Sequence, residues 1–199
     1  MTPRFMPRLA FVAVLLLTAA AHAAPKGAPA YDARGRMLFP ADYRTWVFLS
    51  SGLNMSYTAD PAMAGQDMFG NTFVPAAAYA AFQRTGVWPD KTVIVLENRG
   101  GASKGSINKR GLFQTTDYMG AEAHVKDTKR FKDGWGFFSF DTAGNPAEEI
   151  AHSASCYACH QQHAAVDTTF VQFYPTLLPI ATRLKTLSPS YVAETASGR

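Results

Sequence analysis

The spacing of apolar residues divides the chain into a strand-forming first part and a helix-forming last part. Trp46-Val47-Phe48-Leu49 is a short aromatic and β-branched run that predicts a strand, entered from a short segment with Pro40 at a first helical position. Residues 65–74 mix turn residues with short apolar pieces. Residues 75–83 predict an alanine-rich helix that stops near Gly86. Thr92-Val93-Ile94-Val95-Leu96 is continuously apolar and bounded by turn residues, as expected of a strand buried on both faces. Residues 98–111 form a glycine-, serine- and cation-rich loop, and residues 112–125 predict one long strand or two, with Glu122 and His124 on one parity. A charged turn over 126–134 leads to a last aromatic strand over 135–140.

After a turn at residues 141–145 the period becomes helical. Asn145 as a cap, Pro146 at the first helical position and Glu148 in a capping-box-like pattern predict the start of one helix. Asp167 is expected to cap the next, with Val171 and Tyr174 at helical spacing. Pro175 and Pro179 interrupt the path, and Leu177, Ile180, Ala181, Leu184 and Leu187 mark a last amphipathic stretch. Strands first and helices last is an α+β pattern: a mainly antiparallel sheet body followed by C-terminal helices.

Residues 1–23 read as a secretory signal peptide: Arg4 and Arg8 precede an apolar core, and Ala21-His22-Ala23 forms an A-x-A-type cleavage site. The core is short of the ~20 residues that a spanning helix needs, so the expected destination is the periplasm, with no membrane span after processing. Residues 24–38 read as a loosely held lead-in and 39–199 as one domain. Processing removes two of the 19 Lys and Arg and none of the 15 Asp and Glu. The remaining excess of about two positive charges does not argue for a nucleic-acid partner.

The chain has only two cysteines, in Cys156-Tyr157-Ala158-Cys159-His160, the C-x-x-C-H arrangement of c-type haem attachment. Each thiol can add to one vinyl group of the haem, and His160 then lies under the iron as its proximal ligand. Other uses fit less well. A disulfide closing so small a loop stabilises little. A thioredoxin-like pair belongs early in a chain, beside a βαβ pattern. A zinc site of Cys156, Cys159, His160 and His163 lacks the distant second ligand pair usual in structural sites.

The position of the motif narrows the class. Every methionine precedes it, whereas a class I electron carrier draws a methionine ligand from downstream, so Met68 or Met119 would have to fold back to serve. The strand-rich body does not suit a four-helix cytochrome c′. The expectation is one haem c with a five-coordinate iron and an apolar distal pocket, suited to ligand binding or catalysis. The loop NRGGASKGSINKRG does not spell a phosphate-binding loop.

The segment CYACHQQHAAVDTTFVQFYPTLLP, preceded by DYMGAEAHVKDTKRF and GWGFFSF, resembles the cytochrome P-460 family, which includes the cytochromes c′-beta; the resemblance runs from about Tyr43 to Leu178. It implies a mainly antiparallel β fold, a homodimer in many members, and a haem held by C-terminal helices with His160 as sole protein ligand. It implies one of two activities. The P-460 enzymes oxidise hydroxylamine, passing electrons to an acceptor cytochrome, and carry a lysine bonded to the macrocycle. The c′-beta members bind nitric oxide or carbon monoxide under phenylalanines. Lys104 best matches the cross-linking position and Lys109 is second, in a loop that differs slightly in length from those of the enzymes. Phe113, Phe138 and Phe140 are candidates for the distal wall, and Arg44 for a propionate partner through its forked guanidinium. Some enzymes of the family use a distal glutamate. The charged segment 126–133 has none, and the nearest, Glu122, is expected at the surface or beside an arginine.

Overall fold

The computed structural model describes residues 26–56 and 66–198; the proposed signal peptide lies outside them. Five antiparallel strands form one sheet in sequence order: β1 (Val47–Leu53), β2 (Met68–Val74), β3 (Val93–Ala102), β4 (Phe113–Lys126) and β5 (Trp135–Phe140). Helix α1 (Ala76–Thr85) joins β2 to β3. Helices α2 (Ser155–His163), α3 (Leu178–Leu184) and α4 (Pro189–Ala196) follow the sheet. No helix among the described residues is long and apolar enough to cross a membrane.

Alternation along each strand sends its side chains to two different cores. On one face, Leu49, Val74 and Ile94 pack with Phe82, Trp88, Trp135, Leu177 and Ala181, so α1 and α3 cover that face. On the other, Phe73, Val93, Val95, Ala123, Phe138 and Phe140 pack with Met37, Tyr43 and Ala147. The lead-in therefore belongs to the core rather than hanging loosely. Met37 is fully buried and pairs with Tyr31 and Ala147 through β-bridges, and Tyr31 lies under the Arg130 guanidinium.

Gly86 ends α1 in the left-handed region, φ 73°, and its carbonyl accepts the Thr186 hydroxyl at 2.8 Å. Strand β4 carries a bulge opposite residues 97–99 of β3: Glu97 pairs with Ala121, but Arg99 pairs with Tyr118. Gly120 supplies the positive φ of 107°, where a Cβ would lie 2.9 Å from the Phe140 carbonyl oxygen.

Three local expectations change. The segment led by Asn145 and Pro146 is not helical; α2 begins ten residues later at Ser155, while Asn145 donates to Asp141. Asp167 sits in a left-handed turn, φ 53°, rather than capping a helix. Pro179 falls in the first turn of α3, where its missing N–H costs nothing.

Beneath the sheet, Glu97 is fully buried and accepts hydrogen bonds from Tyr43 Oη (2.6 Å), Arg44 Nη1 (2.7 Å), Arg99 Nε (2.9 Å) and Asn71 Nδ2 (3.2 Å). Burial pushes its pKa up, but the donors and the Arg99 charge outweigh this and hold it below the ordinary value. A depressed folded-state pKa gives stability that is present above the ordinary value of 4.5 and is lost as pH falls through the folded value. Glu97→Ala is expected to cost about 2–4 kcal/mol in urea unfolding at pH 7, and the difference from the parent should shrink in acid below that range.

Candidate functional site

Between the α1-side face of the sheet and α2 lies a cavity of about 420 Å³, within the ~300–1,000 Å³ usual for cofactor and ligand sites. The strands contribute Gly70 and Thr72 of β2, Ile94 and Leu96 of β3, and Glu122 and His124 of β4 to its lining. Phe137 of β5 closes one side, and Cys156 and His160 of α2 open onto it. The lining is mostly apolar, with a carboxyl and two imidazoles at fixed places.

His160 is held by a bond that determines its chemistry. Its Nδ1 lies 2.7 Å from the Thr168 carbonyl oxygen, which can only accept, so Nδ1 carries the proton and the Nε2 lone pair is free to ligate. The ring packs against Phe170 (4.2 Å between centroids), Phe137 (4.6 Å) and His124 (5.1 Å). Burial pushes the His160 pKa down more than the Thr168 bond raises it, which keeps the imidazole neutral, the form that binds a metal.

The turn that offers the Thr168 carbonyl is fastened on three sides. Asp167 pairs with Lys126 of β4 at 3.0 Å. The Thr169 hydroxyl accepts from Trp88 Nε1 (2.9 Å) and donates to the Val166 carbonyl (2.7 Å). The Thr168 hydroxyl lies 3.2 Å from His124 Nε2. His124 itself is stacked on Phe137 at 4.0 Å and 14°, and burial, then the nearby His160, pushes its pKa well down.

Helix α2 is fixed to its surroundings by ring contacts of Tyr157 and His160 and by polar contacts. Tyr157 Oη accepts from the Phe137 amide at 3.3 Å and donates to the Ile150 carbonyl at 3.0 Å. Burial leads in pushing that phenol up to about 12. His163 Nδ1 meets Glu194 of α4 at 2.9 Å. Cys156 and Cys159 are free thiols, both half-buried; burial first, then the Cys156 and Glu194 charges, push the Cys159 thiol up.

Of the residues singled out in the sequence, Cys156 and His160 meet in the cavity, with Cys159 one turn along α2. Glu122 is exposed, as expected, but it also lines the cavity, where desolvation pushes its carboxyl above the ordinary value. Met68 also lines the cavity, joined by Met55, whereas Met119 does not. Arg44 is committed to Glu97 on the opposite side of the sheet and does not line the cavity. Phe140 belongs wholly to the opposite core. Phe138 touches the cavity, but it is fully buried and its ring packs with Tyr31 and Phe131 in that core. Phe113 is at the far end of β4, where its ring meets Gly105 in the β3–β4 connection. Lys104 and Lys109 are in that same connection and do not line the cavity; Lys109 borders a surface groove with Ile107 and Phe113.

Phe137 and Thr168 were not singled out by the sequence, and His124 only as sharing a parity with Glu122. The odd parity of Trp135 and Phe137, opposite to that of Phe138 and Phe140, was the available signal for the first. Nothing local marks Thr168, whose role depends on a turn closing against a strand some forty residues earlier.

The residues present fit a covalently held haem: two thiols three positions apart, a neutral imidazole with Nε2 free, and an apolar cavity onto which Cys156 and His160 open. The Cytochrome P460 family model matches residues 40–171. No curated protein matches the chain. Phe137→Ala, which removes the ring packed on both histidines and on Tyr157, is expected to cost about 3 kcal/mol in denaturant unfolding.

Proposed function

The chain belongs to the cytochrome P460 family, a family of haem cytochromes, and from that premise we propose a periplasmic monohaem c-type cytochrome that acts on small nitrogen species, with hydroxylamine oxidation as its activity. Residues 1–23 direct export to the compartment where c-type haem is attached. Cys156 and Cys159 form the thioethers and His160 Nε2 is the proximal ligand. When bound, the haem supplies an iron that takes a small ligand and accepts electrons from it.

The protein's own residues shape that chemistry. The Thr168 carbonyl orients His160, and Ile94, Leu96 and Phe137 keep the site dry. Glu122, the carboxylate in the cavity, takes the proton that hydroxylamine loses on oxidation. The electrons leave to an acceptor cytochrome, and the working form is a homodimer, as in many of the family. The observation that carries the reading is the convergence of Cys156 and an Nδ1-protonated His160 on one cavity; Glu122 in that cavity supports oxidation over simple binding.

A second reading is nitric oxide or carbon monoxide binding without turnover. It is favoured by Lys104 and Lys109 lying outside the cavity lining. A plain electron carrier would need Met68 or Met55 as a sixth ligand.

Intact-mass measurement and tryptic mapping of holoprotein matured in a haem-loading host separate these readings. Haem joined to the Cys156–Cys159 peptide is expected; an added bond to the Lys104 fragment favours oxidation, and its absence favours the binder. A colourless product, or a reduced spectrum indifferent to carbon monoxide, overturns the open-haem reading. Glu122→Gln is expected to lower hydroxylamine oxidation by about 10²-fold with substrate binding retained. In the parent, the rate should rise with pH through a value above the ordinary glutamate 4.5, because the raised pKa keeps the base protonated below it; the variant should lack that limb.

A further inference from the structure

Two imidazoles converge on one residue. The Thr168 carbonyl receives His160 Nδ1–H at 2.7 Å, and the Thr168 hydroxyl meets His124 Nε2 at 3.2 Å. His124 is well placed as a fixed post. It stands on β4 between Ile94 of β3 and Phe137 of β5, stacked on Phe137 and lying 4.3 Å from the Trp135 ring. A phenylalanine would fill the same space; what the imidazole adds is the bond to Thr168. A buried polar ring is costly without such a partner.

The direction of the Thr168 carbonyl sets the strength of the His160 Nδ1–H bond. That bond in turn sets how strongly Nε2 donates to a metal. The adjacent Thr169 hydroxyl is used differently, on Trp88 and Val166, so the two threonines tie the turn to separate walls.

Building on the haem reading above, we propose that His124 and the Thr168 side chain form a positioning pair for the proximal ligand, fixing the carbonyl that polarises His160 and so holding the haem potential low. Loss of either member lets the carbonyl drift, weakens the Nδ1–H bond and makes His160 a poorer donor.

The test uses purified holoprotein, with resonance Raman of the ferrous iron–histidine stretch and a potentiometric titration as readouts. His124→Phe and Thr168→Val are each expected to lower the stretching frequency and raise the potential. The double variant should match either single rather than their sum, because both remove one contact. Thr168→Ser, which keeps the hydroxyl, should behave as the parent. Singles that leave band and potential unmoved, or shifts that add in the double, overturn the proposal. Should His124→Phe load no haem, the Thr168→Val and Thr168→Ser pair decides by the same criterion. A parent chain with no iron–histidine band overturns the haem reading itself, and the inference with it; a parent band that Thr168→Val does not move overturns the inference alone.

Discussion

One hydrogen bond, from His160 Nδ1–H to the carbonyl of Thr168, governs how the rest of this molecule is arranged. It selects the imidazole tautomer and aims the ring, and both effects are useful only if the carbonyl cannot move. A carbonyl in an exposed turn would ordinarily be free to do so. Here the turn is tied to β4 by Asp167 and His124 and to the approach of β3 by Trp88. The sheet therefore acts as the rigid part of the site, and α2, with no fully buried residue, depends on it for position.

The two faces of the sheet solve different problems. One is a closed core in which the buried Glu97 carboxylate is ringed by donors, two of them arginines. The other is shared between a closed core and an open cavity, onto which a carboxyl and two imidazoles face, each imidazole held from behind by Thr168. Desolvation acts on both faces in the same sense, yet the outcomes are opposite. Glu97 has enough donors to stay ionised in spite of burial, whereas Glu122 is pushed toward its neutral form. The same residue type thus serves as a structural anion on one side and, in the function proposed above, as a proton acceptor on the other.

Much of this was legible in the sequence, and the failures have physical reasons. The α+β order, the β-branched run of β3, the aromatic β5 and the Gly86 stop rest on local composition and survived. Asn145-Pro146 looks like a helix start because caps are read locally, but the Asp141 side chain claims Asn145 first. Cys156, Cys159 and His160 stand out because covalent haem attachment would demand that spacing. Arg44 was readable only as a cation with no assigned partner, and Glu97, fifty-three residues away, turned out to hold it. Phe138 and Phe140 stand out by aromatic content alone, whereas strand parity is what sends Phe137 to the histidines and Phe140 to the opposite core. Glu122 and His124 were correctly placed on one parity, but the cavity they face is built by strands and a helix from across the chain.

The bulge at Gly120 has a consequence for how this protein tolerates change in length. Tyr118 and Ala121 are separated by an odd number of positions, yet both lie on the Glu97 side of the sheet; the extra residue inverts the in-and-out order halfway along one strand. Glu122 and His124 reach the cavity only because of that inversion. Deleting one position at the bulge would leave two residues against two, so both halves of the strand could keep their faces. A one-residue insertion or deletion in the regular stretch beside it would instead turn one half over against the other and swap acid and imidazole with alanine and valine.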